Sequence, residues 1–130
     1  MDIQIYKNIF DKSPLGYALH KIIIDEKGIP IDYQFLDVNI AFERMTGLKI
    51  SEIIGKTLKQ VLPNIVNDSF DWIKAYGQIA LNGTEMEFEQ YSETLKKYYK
   101  IYVYSPEKYY FITTFIDITS LKQDKNNFKN

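Results

Sequence analysis

Residues 37–63 read DVNIAFERMTGLKISEIIGKTLKQVLP, and this stretch decides the fold. A strand ends at Asn39, whose side chain can accept a hydrogen bond from the free amides that open a helix. Phe42 and Met45 then fall three apart on one helical face, with Glu43 and Arg44 turned elsewhere. Gly47 stands where a left-handed residue closes that helix. Ser51 and Gly55 repeat the cap-and-stop logic around Ile53 and Ile54. Two clipped helices in series make a concave wall rather than a packing rod.

Working outward, residues 3–12 place Ile5 and Ile9, with Ile3 and Phe10, on a helical stripe that Pro14 stops. Gly16 to Asp25 and Ile31 to Val38 read as two strands around a Lys27-Gly28-Ile29-Pro30 turn, an expected antiparallel hairpin. Residues 68–82 make the longest helix candidate. Asp68 or Ser69 would cap it, Phe70, Ile73, Gly77, Ala80 and Leu81 trace its apolar face, and Asn82-Gly83 stops it.

Beyond Gly83 the period changes from near 3.6 to 2. Met86 and Phe88 alternate with Glu85, Glu87 and Glu89; Tyr99, Ile101 and Val103 alternate with Tyr98, Lys100, Tyr102 and Tyr104. A Ser105-Pro106-Glu107-Lys108 turn leads to a last strand over Tyr109 to Ile116, and a polar tail carries Leu121 and Phe128. The order is helix, two strands, several helices, three strands. Helices segregated between two antiparallel blocks indicate an α+β fold rather than a parallel sheet.

The chain of 130 residues suits one domain with a real core. A formal net charge of −1 supplies no electrostatic drive towards nucleic acid or anionic lipid, so neither is expected as a partner. With no cysteine there is no disulfide, thiolate nucleophile or Cys-based metal site, and a single histidine argues against zinc. No apolar stretch approaches the roughly 20 residues of a membrane helix, and the N-terminus lacks a secretion-signal layout. A cytoplasmic location is the expectation, with no direct membrane insertion.

Taken in order, these pieces resemble a PAS domain, the sensory module of bacterial signalling proteins. The resemblance runs over about residues 8 to 120. It is carried by Gly16 to Asp25 with Gly28, Asp32-Tyr33 and Val38-Asn39, Ala41-Phe42 with Thr46-Gly47, and Ile54-Gly55-Lys56 leading to Leu62-Pro63. Asn82-Gly83, Glu87-Phe88-Glu89 and the closing Asp117-Ile118-Thr119 complete it. The family implies a five-stranded antiparallel sheet of order 2-1-5-4-3 with the helices on one face. It divides the chain into an N-terminal helix (1–13), a PAS domain (14–119) and the start of a signalling linker helix (120–130). The resemblance also implies an output domain on the same polypeptide, typically a histidine kinase or a GGDEF diguanylate cyclase, reached through Asp117 and Thr119. No output motif is present in this sequence.

The family places its ligand space between helices and sheet. Candidates to line it are His20, Phe42, Met45, Leu58, Leu62, Ile73, Tyr76, Met86, Phe88, Ile101 and Ile112. Haem-binding members use a histidine on the long helix, where this chain offers Tyr76, so haem is not expected. Blue-light flavin members need a cysteine for their photoadduct, and Gly55-Lys56-Thr57-Leu58 departs from their motif; no covalent flavin adduct is expected. The ligand itself is left unknown.

His20 is read as structural or pocket-lining, and Glu85, Glu87 and Glu89 as a solvated strand face paired with Lys97 or Lys100. Asp117 is expected to cap the exit helix. The late tyrosines suit strand packing against the N-terminal helix or a second subunit better than base stacking. The reading is therefore a non-catalytic sensor that binds a small ligand or partner, with a homodimer expected from the short apolar stripe of residues 3–12. The alternatives are a ligand-free interaction scaffold, or a small enzyme with His20, Glu87 or Asp117 as acid or base. The enzyme requires a carboxylate and His20 to converge in one cavity.

Overall fold

The computed structural model describes residues 3–128. Strands β1 (Gly16–Ile24) and β2 (Pro30–Val38) form the expected hairpin. Its turn is held by the Asp25 carboxylate, which accepts from the amides of Lys27 (2.8 Å) and Ile29 (2.9 Å). Strands β3 (Glu85–Ser92), β4 (Lys97–Tyr104) and β5 (Tyr110–Asp117) form an antiparallel meander. β5 then pairs with β1, giving one five-stranded sheet of order β2-β1-β5-β4-β3. The pairing sets Leu19 opposite Ile112 and Ile112 opposite Tyr104 on one face, and His20 opposite Phe111 on the other.

The helices are α1 (Ile3–Lys12), α2 (Ile40–Thr46), α3 (Ile50–Ile53), α4 (Leu58–Val61), α5 (Trp72–Asn82) and α6 (Thr119–Phe128), with a 3-10 turn at Pro63–Asn67. The core lies between α2 to α5 and the sheet face that carries Ala18, Ile22, Tyr33, Phe35, Ile101, Val103 and Phe111. Gly77 lets α5 approach the sheet closely. A Cβ there would stand 2.4 Å from the Pro30 ring, closer than carbon atoms pack.

Asn39 caps α2 as its sequence suggests, and does more. Its Oδ1 accepts from the amides of Phe42 (3.0 Å) and Tyr17 (2.9 Å). Its Nδ2 donates to the carbonyls of Phe10 (2.8 Å) and Leu15 (2.9 Å). A fully buried amide thus has its two donors paired and its oxygen shared by two amides, tying the end of α1 and the start of β1 to α2. Gly47 closes α2 at φ 77°, the left-handed position expected of it.

Two caps differ from the sequence reading. Ser51 does not open the second short helix. Lys49 does, without a side-chain cap, because the Glu43 carboxylate reaches over from α2 to accept from the Ile50 amide (3.3 Å). The long helix starts at Trp72 rather than near 69. Asp71 caps it by accepting from the Lys74 amide (3.0 Å), since both Asp68 oxygens are engaged elsewhere. A third short helix, α4, was not expected. Thr57 and Gln60 form a reciprocal capping box at its start.

The apolar stripe of α1 meets the sheet of its own domain only at its C-terminal end among the contacts described, where the Phe10 ring lies 5.8 Å from that of Tyr17 on β1. The helix has no buried residue, and Ile3, Ile5, Tyr6 and Ile9 are all exposed. At the termini, Met1, Asp2, Lys129, Asn130 and the side chains of residues 124–128, Phe128 among them, lie outside the described residues.

Candidate functional site

Between the sheet and the clipped helices lies a cavity of about 80 Å³. The hairpin supplies His20, Tyr33 and Phe35; the later strands supply Ser92, Tyr99, Ile101, Thr113 and Phe115. The opposite wall comes from Phe42, Thr46, Leu58, Leu62, Ile65, Trp72 and Tyr76, with Leu48 and Leu95 at its margins. Of the residues expected to line a ligand space, His20, Phe42, Leu58, Leu62, Tyr76 and Ile101 come together here. Met45, Ile73, Met86, Phe88 and Ile112 do not.

Strand parity explains one of these departures. On β5 it is Phe111, Thr113 and Phe115 that point into the core, so Ile112 lies on the outer face between Leu19 and Tyr104. Phe88 stacks on Phe70 (5.2 Å between centroids) and sits outside the cavity, with Met86 packed at the core margin. Ile73 is buried in the core, and Met45 is partly buried against it. Tyr33, Phe35, Tyr99, Trp72 and Thr113 were not anticipated as wall residues. The signal for Tyr99 was available, since it shares a strand face with Ile101.

His20 is 2% exposed and held by aromatic rings: Phe111 stacked at 4.4 Å, Tyr33 edge-on at 4.8 Å and Phe35 at 5.3 Å. Burial lowers its pKa to about 3, against a smaller opposing pull from the Phe111 backbone, so the imidazole is neutral at physiological pH. Its Nδ1 is buried without a hydrogen-bond partner among the described residues.

The cavity wall runs into the end of the domain through β4. Tyr99 lines the cavity, and its hydroxyl donates to the Met45 carbonyl (3.3 Å) in the last turn of α2. The Lys97 ammonium donates to the same carbonyl (2.9 Å) and lies 3.3 Å from the Asp117 carboxylate. Asp117 Oδ1 accepts from the Thr119 amide (2.9 Å), opening α6, and the Tyr98 amide donates to the Thr119 hydroxyl (2.9 Å). Burial opposes ionisation of Asp117, but the Thr119 bonds and Lys97 outweigh it and hold its pKa below the usual value.

A second polar knot stands close to the first, at the β3–β4 turn, where Ser92 lies opposite Lys97. Asp68 accepts from the Trp72 indole (2.9 Å), the Ser92 hydroxyl (2.7 Å) and both the amide (2.9 Å) and hydroxyl (2.6 Å) of Thr94. Burial disfavours its charge, yet these donors prevail and lower its pKa. It fastens the β3–β4 turn to the start of α5.

The acid–base alternative required a carboxylate beside His20 in one cavity, and neither Glu87 nor Asp117 lines the cavity that His20 lines. Glu87 is on the exposed strand face, 3.5 Å from Lys100, and Asp117 belongs to the exit junction. The neighbouring acids also have partners: Glu89 with Lys122 (2.7 Å) and Glu85 with the Tyr102 hydroxyl. Among the described residues no group of three His, Asp or Glu side chains is placed to hold a metal ion, and no helix is long and apolar enough to cross a membrane.

A family model described as PAS domain matches residues 4–80, more than half of the chain. The chain belongs to the PAS domain family. Solved structures share the fold of this PAS domain. An RNA-binding Light-Oxygen-Voltage receptor superposes with a TM-score of 0.65 and 16% identity, covering 97% of this chain and 35% of that one. The PAS chain thus spans about a third of that receptor's length. A domain of the sensory box sensor histidine kinase/response regulator from Geobacter sulfurreducens gives a TM-score of 0.56 at 14% identity, covering 88% of this chain and 92% of that one. The photoactive yellow protein domain of the sensor histidine kinase Ppr from Rhodospirillum centenum gives 0.53 at 14% identity, covering 85% and 91%. No curated protein matches the sequence.

Proposed function

We propose that this PAS domain is a non-catalytic sensor whose cavity takes a small ligand and whose exit junction passes the change to an output domain. The observation that carries the reading is the shared Met45 carbonyl. Tyr99 reaches it from the cavity wall and Lys97 reaches it from the Asp117 junction. A ligand that shifts the Tyr99 hydroxyl changes how strongly Lys97 is held between Met45 and Asp117. That in turn biases the cap that starts α6.

The cavity's size supports a ligand smaller than flavin or haem, because pockets for drug-sized molecules run to about 300 Å³ or more. The sensor histidine kinase domains of similar fold favour a histidine kinase as output over a diguanylate cyclase. A homodimer fits the exposed stripe of Ile3, Ile5 and Ile9 on α1, which is too short to be stable alone.

Native mass spectrometry of gently purified protein tests the reading. A retained small molecule, lost on mild unfolding, is the expected result. A mass equal to the bare chain under every condition favours the ligand-free scaffold instead. Sedimentation at rising concentration tests the dimer, and a constant monomer mass overturns it.

A further inference from the structure

We propose that the cavity selects an uncharged molecule, no larger than one small ring, that hydrogen-bonds to the His20 imidazole. This rests on the reading of the cavity as a sensor site and adds the chemistry of what it senses.

None of the residues lining the cavity is Asp, Glu, Lys or Arg. A carboxylate or phosphate entering it would lose its hydration with no countercharge to replace it. The imidazole supplies none, since burial keeps it neutral. Of the other polar side chains on the wall, Thr46, Trp72, Ser92 and Tyr99 are committed, while Tyr33, Tyr76 and Thr113 bring hydroxyls to the wall beside His20. Tyr99 donates to Met45, Thr46 to the Phe42 carbonyl (2.7 Å) and Ser92 to Asp68.

His20 is different. Its Nδ1 is buried without a partner among the described residues, whereas buried polar groups in folded proteins are nearly always paired. The Phe111 stack and the Tyr33 edge hold the ring in place. A neutral imidazole carries one N–H donor and one acceptor nitrogen, so a partner offering both suits either tautomer. The size limit follows from volume. About 80 Å³ compares with the roughly 150 Å³ of an apolar cavity that admits benzene.

His20 is the sole histidine, so protein labelled with ¹⁵N in histidine gives one pair of ring-nitrogen resonances. Wild type is titrated with pyrazole, with thiophene (similar in size, without the N–H donor) and with propionate. Pyrazole is expected to bind saturably, to move a ring-nitrogen resonance, and to bind about tenfold tighter than thiophene. Propionate is expected not to bind. In His20→Phe the preference for pyrazole over thiophene disappears while thiophene still binds. The wild-type resonances decide the matter if that variant does not fold. Equal binding of thiophene, comparable binding of propionate, or pyrazole binding with unmoved ring nitrogens overturns the ligand class alone. Failure of every probe to bind overturns both the ligand class and the sensor reading of the cavity.

Discussion

The Lys97 ammonium donates to the Met45 carbonyl at 2.9 Å, joining β4 to the last turn of α2. Carbonyls at a helix C-terminus have no partner within the helix and carry partial negative charge, so a cation is the favoured neighbour. The same ammonium lies 3.3 Å from Asp117, so one side chain serves the cavity wall and the exit.

Lys97→Met therefore has two expected consequences. Because the ammonium is partly solvated, stability at pH 7 falls by only about 1 kcal/mol. The second is a changed acid response. Asp117 has a depressed folded pKa, so its contribution is present above the usual carboxylate range and is lost as pH falls through the folded value. Without Lys97 that depression shrinks. Denaturant melts at pH 5 and pH 3 should show a smaller acid loss in the variant than in wild type.

His20 sets a pH dependence at milder acidity. Its folded pKa of about 3 lies below the ordinary 6.5, so between those values the unfolded chain binds a proton that the folded chain does not. Stability is then full above pH 6.5 and declines as pH falls towards 3. Between pH 7 and 5, above the range of the paired carboxylates, wild type should lose about 2 kcal/mol. His20→Phe should lose much less over the same interval in urea denaturation.

Asn39→Ala removes four hydrogen bonds and leaves the Tyr17 and Phe42 amides and the Phe10 and Leu15 carbonyls without their partner. A loss of about 3 kcal/mol is expected. Asn39→Asp should not rescue it, because a carboxylate oxygen would face two carbonyls where Nδ2 now donates. Thermal unfolding of both variants checks this.

Gly77→Ala runs against the usual rule. In an ordinary helix interior the change favours the helix by about 1 kcal/mol. Here the added Cβ meets Pro30 at 2.4 Å, so α5 must shift from β2. The expected outcome is a net destabilisation of about 1–3 kcal/mol, read from the urea midpoint.

Much of the fold was legible because its signals are local. Asn39 and Gly47 bracket α2, and the Glu85–Glu89 and Tyr98–Tyr104 alternations mark β3 and β4. The strand order came from the likeness to a family and not from periodicity, which says nothing about which strands become neighbours. The site was half legible for a related reason. Period two fixes which residues share a face but not which face is buried. In Phe111-Ile112-Thr113, the apolar Ile112 looked internal, yet Thr113 is the residue turned inward. Ser51 and Asp68 were misread because their helix starts are governed by distant groups, Glu43 in one case and Ser92 and Thr94 in the other. The Lys97–Met45 contact spans 52 positions and left no local trace.

Hydrogen exchange at the Lys122 amide, which donates to the Ile118 carbonyl (3.0 Å) in the first turn of α6, tests the relay most directly. The comparison is between wild type, Tyr99→Phe and, as a surface control, Tyr102→Phe. The hydroxyl lost in Tyr99→Phe bonds to Met45 and not to α6. If the shared carbonyl couples cavity to exit, that variant changes exchange at Lys122 by about threefold or more, while Tyr102→Phe leaves it unchanged. Identical exchange at Lys122 in all three proteins would contradict the account.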